Sequence, residues 1–518
     1  MNRRAFNRSL LGSGFGAALM GATSACVGGT DTDAGGTGSS GKGSRTLNLA
    51  VDQEIYSLDP AKQQSGSAIV QVWQACFDTL LRYEPDGTVG PNAARSFTFN
   101  KEKTELTLTL RRGMKFIDGV AVDAQAVKQS LEYFKSGAGP EAGRLAGVTV
   151  TVKDSTTVVL TTPQPNGLLP MFLCLAPGIL SSPASHNSGE RETSPVGSGP
   201  YKLDAAGTSA GSLYTFVRNP GYWNKAAYPY DKVIVRQMAG TMTRLDALKS
   251  GQINAAQISA RTRTDAQNSG LTVLRNSVGW AGLFLSDQGG EVVPALKDVR
   301  VRRAINMVFD RPAILKSLFQ GHGTVTNQIF NSRSVAYLPD MLDFYPYDVT
   351  KAKSLMKEAG YADGFTFDLP LVSGQEDANP LIVRQLALLN ITARQVNIPP
   401  AQTISALLSG KYPIFFHTLE SRAALWDIAQ SLTPNAPWNL NKFTDERLQP
   451  LLDKAQLLDG SAERLNAQAV NAFVVEQAWF CPWVLPTNFY ATDNTATATP
   501  YTGTPVPHLR GFTPATDG

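Results

Sequence analysis

Residues 106–133 read LTLTLRRGMKFIDGVAVDAQAVKQSLEY. Two periods sit side by side in this stretch. Leu106, Leu108 and Leu110 alternate with threonines, the pattern of a strand with one buried face. Further on, Asp123 stands where a side-chain oxygen can accept N–H bonds from the first turn of a helix. After it, Val127, Leu131 and Phe134 fall on one helical face. Downstream, VTVTV (148–152) and TVVLTT (157–162), separated by the turn-like KDST, read as a hairpin. Upstream, TLNLAVD (46–52) alternates Leu47, Leu49 and Val51. The run from Ser67 to Leu81 places Ile69, Val70, Trp73, Phe77, Leu80 and Leu81 at helical spacing. Beyond residue 230 strands and helices alternate: VIVRQM, then a helix in TRLDALKSG stopped by Gly251. A helix in KDVRVRRAINMVFD follows, and another opens at Asp310 with Pro312 in its first turn. TKAKSLMKEAG is a further helix, and FTFDLPL, a helix around Arg384 and TARQVNI complete an α/β order. No fixed-period repeat is visible.

The chain has 518 residues, 42% hydrophobic and 17% charged, which fits a folded protein of two or three domains. No run of 18 or more apolar residues follows the N-terminus, so no spanning helix is expected after it. The formal net charge is +4, and Arg3, Arg4 and Arg8 supply three of the positives. The near-neutral remainder lacks the concentrated basic face of a nucleic-acid binder.

The first 25 residues have the layout of an export signal: a charged Met1–Arg8, a mildly apolar Ser9–Ala22, then Thr23-Ser24-Ala25-Cys26. The adjacent arginines before an aromatic resemble a twin-arginine signal, with the Sec route as the alternative. Small residues ending in cysteine resemble a bacterial lipobox, which would make Cys26 the lipidated first mature residue. From Val27 to Arg45, 13 of 19 residues are Gly, Ser or Thr. Such a tether has a root-mean-square reach of about 24 Å. The resemblance therefore implies a membrane anchor through lipid on Cys26, at the extracytoplasmic face of the cell membrane or in the periplasm. Cys76, Cys174 and Cys481 remain; three cysteines allow at most one bridge, and burial of all three as free thiols is expected.

Several chemical motifs fail on context. Gly36, Gly38 and Gly41 spell G-x-G-x-x-G, and Gly41-Lys42 ends a near-Walker loop, but both lie in the tether without the strand and helix that such loops need. Gly207-Thr-Ser209-Ala-Gly211 spells a nucleophile elbow, yet it is flanked by two β-rich runs and reads as a hairpin turn. The four histidines, His186, His322, His417 and His508, are scattered, which supports no metal site. No cofactor is expected.

Taken in order, several segments resemble extracellular solute-binding protein family 5 of bacterial ABC importers, the dipeptide- and oligopeptide-binding type. They are YSLDP (56–60), FDTLLRYEPDGTVGPNAARSF (77–97), the opening stretch, SPVGSGPYKL (194–203), VRNPGYWN (217–224), VRVRRAINMVFDRPAIL (299–315) and DVTKAKSLMKEAGYADG (348–364). Gly197, Gly199 and Pro200 suit a tight turn, and Tyr222 and Trp223 supply buried area, so these motifs mark the scaffold and not the solute.

The resemblance implies a two-lobed α/β periplasmic-binding-protein fold with a hinge. Lobe I would be discontinuous (46–85, 194–285 and 487–518), with an inserted subdomain at 86–193 and lobe II at 286–486. It implies a binding protein, not an enzyme, that captures a small peptide in an interlobe cleft and delivers it to the permease subunits of an ABC transporter. A monomer is expected. The runner-up keeps the scaffold and binds an oligosaccharide or other polar solute; a distant alternative is a secreted hydrolase using Ser209.

In peptide-binding members an aspartate after a tryptophan in lobe II pairs with the peptide's α-ammonium. The nearest match here is Trp426-Asp427. The family spacing is commonly W-x-x-D, so Asp427 equally fits a helix N-cap and Trp426 a core residue. Tyr56, Trp280, His417 and Trp438 are further candidate ligand contacts, each with core packing as its rival reading.

Overall fold

The computed structural model describes residues 45–66, 68–137, 139, 141–372, 377–399, 402–457 and 460–515. The export signal, Cys26 and the tether up to residue 44 lie outside the described residues.

A ten-stranded mixed sheet runs through this body. Its axis is one long strand, Phe480–Thr492. The C-terminal part of this strand, 487–492, pairs with Ala255–Ile258 on one edge and Thr272–Ser277 on the other. From Ala255–Ile258 the sheet continues through Thr46–Val51, Lys232–Gln237, Leu213–Arg218 and Tyr201–Leu203. The N-terminal part, 480–486, pairs instead with Gly279–Leu285 and Gly323–Val325, and Gly279–Leu285 pairs onward with Ile414–Glu420. The sheet therefore serves two halves of the molecule, and the halves share two crossings, at Ser277–Gly279 and at Pro486–Thr487. Alternation explains the strands: Leu47, Leu49 and Val51 are buried, and both neighbours of Thr46–Val51 run parallel to it.

The opening stretch folds as its periods require. Glu105–Leu110 is a strand and Ala124–Ser136 a helix. Asp123 caps the helix by accepting from Ala126 N at 2.9 Å. The strand belongs to a four-stranded antiparallel sheet with Ala94–Phe99, Thr157–Thr161 and Thr149–Asp154. The hairpin reading of 148–162 holds, and Ser209 is an exposed residue between Tyr201–Leu203 and Leu213–Arg218, as its flanks imply.

Two readings differ from the structure. The helix expected over 67–81 is confined to Val70–Cys76. From Phe77 the backbone is extended, because Leu80 N and Leu81 N bond to Gly178 O and Leu173 O; this tertiary pairing overrides apolar spacing. The expected first-lobe boundary at 285 puts Gly279–Leu285 with lobe I. Its strand partners on one side and the cores that hold Leu283 and Phe284 belong to residues 293–485.

The core of the first half joins Trp73, Phe77, Tyr83, Phe134 and Phe216 to the four-stranded sheet. The second half has a core on each side of its strands, one with Val301, Phe309 and Trp483, the other with Trp280, Phe415 and Trp479. Cys76, Cys174 and Cys481 are buried free thiols. Among the described residues no helix is long and apolar enough to cross a membrane, and no cluster of His, Cys, Asp and Glu could hold a metal ion.

Candidate functional site

Strand Ile414–Glu420 ends at the seam between the halves, and the chain turns through Ser421, Arg422 and Ala423 into helix Ala424–Ser431. The turn is fixed from behind. Asp427, in the first turn of the helix, accepts from Ser421 Oγ at 2.7 Å and from Arg422 N at 3.2 Å. Asn331 Nδ2 donates to Ser421 O, Ser421 Oγ and Arg422 O. Glu420, Arg422 and Trp426 are thereby presented toward the other half on a turn with little freedom.

The facing surface comes from five separate segments, around residues 65–66, 83, 141–144, 167–172 and 502–503. Arg422 Nη2 donates to Ser65 O at 3.1 Å and to Glu420 Oε2 at 3.2 Å. Its guanidinium lies over the rings of Tyr83, at 5.3 Å, and Trp426, at 5.1 Å. Arg144 also lies over Trp426, at 4.3 Å, so two cations contact the indole, with Phe172 edge-on. Ser65 donates through N and Oγ to Glu141, which also pairs with Arg144 at 3.3 Å. Glycines allow the approach: a Cβ on Gly66 would sit 3.2 Å from Glu420 Oε2, and one on Gly503 2.7 Å from Ser421 O. Gly167 N to Gln456 Oε1 and Arg333 Nη1 to Thr502 Oγ1 add cross-seam bonds. In this arrangement the two halves are closed on each other.

Burial sets the electrostatics. It pushes Glu420 up to about 7 against the attraction of Arg422, although its side chain keeps 24% exposure. Burial works against the Arg422 cation too, but Glu420, Tyr83 and Glu141 carry its pKa above the ordinary value. Asp427 is pushed up to about 8 by burial, with Ser421 and the Arg422 amide pulling the other way.

Tyr83 also lines a cavity of about 40 Å³, together with residues including Asp78, Cys174, Tyr501 and His508. That is room for a water or two and not for a peptide.

The sequence candidates scatter. Trp426 is at the seam. Asp427 is engaged inside its own loop. Trp280 is 1% exposed and packs on Phe284 and Phe480 at 4.8 and 5.4 Å, in the core. Tyr56 is 83% exposed. His417 and Trp438 stack on each other at 4.8 Å beside Phe284; burial lowers His417 to about 4. Sequence reasoning missed Glu420, Arg422, Glu141, Arg144 and Tyr83. The one local signal for them was two charges, Glu420 and Arg422, three and five residues beyond the apolar run PIFFH.

The profile of the bacterial extracellular solute-binding proteins, family 5 Middle, matches residues 88–427. The chain belongs to this family. Among curated relatives, the glutathione-binding protein GsiB of Escherichia coli K12 is 29% identical over 379 residues, spanning 71% of this chain and 72% of that protein. Among solved structures, the family-5 chain resembles AgaA from A. tumefaciens R10 in complex with agropinic acid, with a TM-score of 0.79 and 25% identity. That match covers 91% of this chain and 99% of AgaA. It also resembles DppA of Helicobacter pylori in complex with the peptide STSA, with a TM-score of 0.77 and 20% identity over 91% of this chain and 98% of DppA. The fold is that of the two-lobed periplasmic binding proteins. These relatives are solute-binding proteins and not enzymes.

Proposed function

We propose that this family-5 protein captures a small peptide or peptide-like solute in the seam between its halves and delivers it to the permease subunits of an ABC importer. The carrying observation is the buried charged turn Glu420–Arg422, facing Ser65, Glu141 and Arg144 from the other half. Charged groups gathered in a cleft suit a solute with charges of its own. They favour a peptide-like solute over a neutral oligosaccharide, since each buried charge needs a partner. Glutathione in the name of GsiB, agropinic acid with AgaA and the peptide bound to DppA point the same way.

Entry requires the closed seam to open, and the two crossings at 277–279 and 486–487 are where a hinge would turn. Lipid on Cys26 would hold the protein at the extracytoplasmic face; Cys26→Ala should then release it from the membrane fraction, and retention there would remove the anchor from this reading. The solute is tested by mass spectrometry of small molecules carried by protein purified natively, followed by calorimetric titration. A charged peptide or amino-acid derivative is expected. A neutral sugar as the sole ligand, or turnover of any bound solute, would overturn the proposal.

A further inference from the structure

Four arginines are buried among the described residues: Arg244, Arg302, Arg311 and Arg422. In the first three every guanidinium nitrogen has an acceptor. Arg311 Nε donates to Thr326 O and Pro482 O, Nη1 to Asn306 O and Tyr345 O, and Nη2 to Asn306 Oδ1. Arg302 is saturated by the carbonyls of Leu296, Lys297 and Gln477. Arg244 is held by those of Gln257, Met238 and Ala239, and by Thr241 Oγ1. Arg422 departs from this pattern. Only Nη2 is engaged, while Nε and Nη1 are buried without a hydrogen-bond partner among the described residues. The indole Nε1 of Trp426, whose ring lies beside the same guanidinium, is also buried without one.

Buried polar groups are otherwise almost always satisfied, so each exception calls for a cause. Here the open groups are all donors, they belong to two side chains whose guanidinium and ring lie 5.1 Å apart, and both stand at the seam already read as the solute site. The inference rests on that reading. We infer that Arg422, with Trp426 beside it, is the anion subsite of the seam, and that the solute presents it with the carboxylate of an α-amino carboxylate head group.

The ammonium half of that head follows from charge and distance. Arg422 is already paired with Glu420, and Arg144 with Glu141, so the four side chains balance. A solute carboxylate alone would leave one negative charge in excess at a buried place, which is costly. A positive charge on the same small group restores the balance, and the partly exposed carboxylate of Glu420 is its acceptor. Glu420 Oε2 lies 3.2 Å from Arg422 Nη2. The two charges of the solute must therefore be as close as those on one α-carbon. In an α-linked peptide they stand on different residues, and each added residue extends the span by roughly 3.3–3.6 Å. Free amino acids and γ-linked or side-chain-linked derivatives keep the head intact.

The test uses the whole protein and three sets of probes, read by calorimetry. One set holds free L-amino acids and glutathione, the second the same compounds with the α-carboxylate esterified, the third α-linked di- and tripeptides. Binding is expected in the first set, weakened at least about tenfold by esterification, as expected for loss of a buried charge partner. Arg422→Met should give the same loss with free acids, and Arg422→Lys should restore part of it. Should Arg422→Met fail to fold, the acid-against-ester comparison on the unaltered protein decides alone. Esters bound as tightly as acids, or α-linked peptides bound in preference to the first set, would overturn the head-group assignment while leaving solute binding intact. Absence of binding in all three sets would overturn both.

Discussion

Asp78 and Arg422 are both buried charges, and the molecule treats them in opposite ways. Asp78 accepts from the Tyr222 hydroxyl at 2.9 Å, Trp223 Nε1 at 3.2 Å, Ser198 Oγ at 3.3 Å and Asn92 Nδ2 at 3.4 Å. All four donors belong to the half that holds Asp78. Arg422 draws on both halves and is left with open donors at the seam between them. A buried charge that serves the scaffold is saturated locally, because an unmade bond there costs its full desolvation. A buried charge that serves a transient partner keeps its capacity free. Burial is common to both, and the state of the hydrogen-bond ledger separates them.

The largest expected effect follows from the saturated member. Asp78→Ala strips the acceptor from the Tyr222 hydroxyl, the Ser198 hydroxyl and the Trp223 N–H together. Unfolding in denaturant should show a loss of about 3–4 kcal/mol, given roughly 1–3 kcal/mol for each buried group left unsatisfied. A loss below about 1 kcal/mol would break the comparison, since Asp78 would then not be the node that its contacts imply.

The same node shows what was legible in the sequence. Asp78 and Asn92 lie in FDTLLRYEPDGTVGPNAARSF, Ser198 in PVGSGPY and Tyr222-Trp223 in RNPGYWN, three of the segments that carried the family resemblance. They are far apart in the chain and converge on one carboxylate, so the family signature is largely the signature of a scaffold joint. The strands and capped helices were legible for local reasons: alternation buries Leu106, Leu108 and Leu110, and Asp123 and Asp310 cap as their positions imply. The seam was not legible, because Ser65, Tyr83, Glu141 and Arg144 share no spacing in the chain, and Arg422 joins them only across the closed seam. Asp427 illustrates the limit. Its neighbour Trp426 and its place at a helix start fit a ligand contact or a cap equally well, and the hydrogen bond from Ser421 Oγ decided between a free and an engaged carboxylate.

A middle-sized effect probes closure itself. Gly503 has φ +68°, and an added Cβ would lie 2.7 Å from Arg422 Cγ and from Ser421 O. Gly503→Ala should disfavour the closed arrangement by about 1–3 kcal/mol, the usual cost of overpacking. Small-angle scattering should show a larger radius of gyration, and solute affinity should fall about tenfold or more. Gly211→Ala is the control: φ is +80° there too, but nothing lies within 4 Å of the added atom. It should carry the backbone strain and leave closure unchanged. Equal effects of the two substitutions would mean that the seam does not discriminate open from closed.

The smallest effect separates Asp427 from Glu420 by pH. Burial raises Asp427 to about 8 and Glu420 to about 7 in the folded protein, whereas an unfolded chain titrates them near 4. The folded state therefore binds protons that the unfolded state does not, and stability must rise as pH falls through 8 and 7. Below pH about 6.5 the buried histidines act in the opposite sense. Burial lowers His417 to about 4 and His508 to about 3, so the unfolded chain takes up their protons first and stability is lost as pH falls further. Unaltered protein should thus gain stability from pH 8.5 to 6.5 and then level off or decline. Asp427→Asn keeps an acceptor for the Ser421 hydroxyl and removes one titrating group. Its folding at pH 7 no longer requires proton uptake at this site, so its unfolding free energy should exceed that of the unaltered protein there, with a shallower rise between pH 8.5 and 6.5. Affinity for an amino-carboxylate solute should change by no more than about twofold, because Asp427 faces its own turn. Glu420→Gln should leave the Asp427 part of the pH slope intact and weaken the same solute about tenfold, through loss of the ammonium's partner. The reverse pattern, with affinity following Asp427 and not Glu420, would return the ammonium to the aspartate and leave Glu420 as no more than the counterion of Arg422.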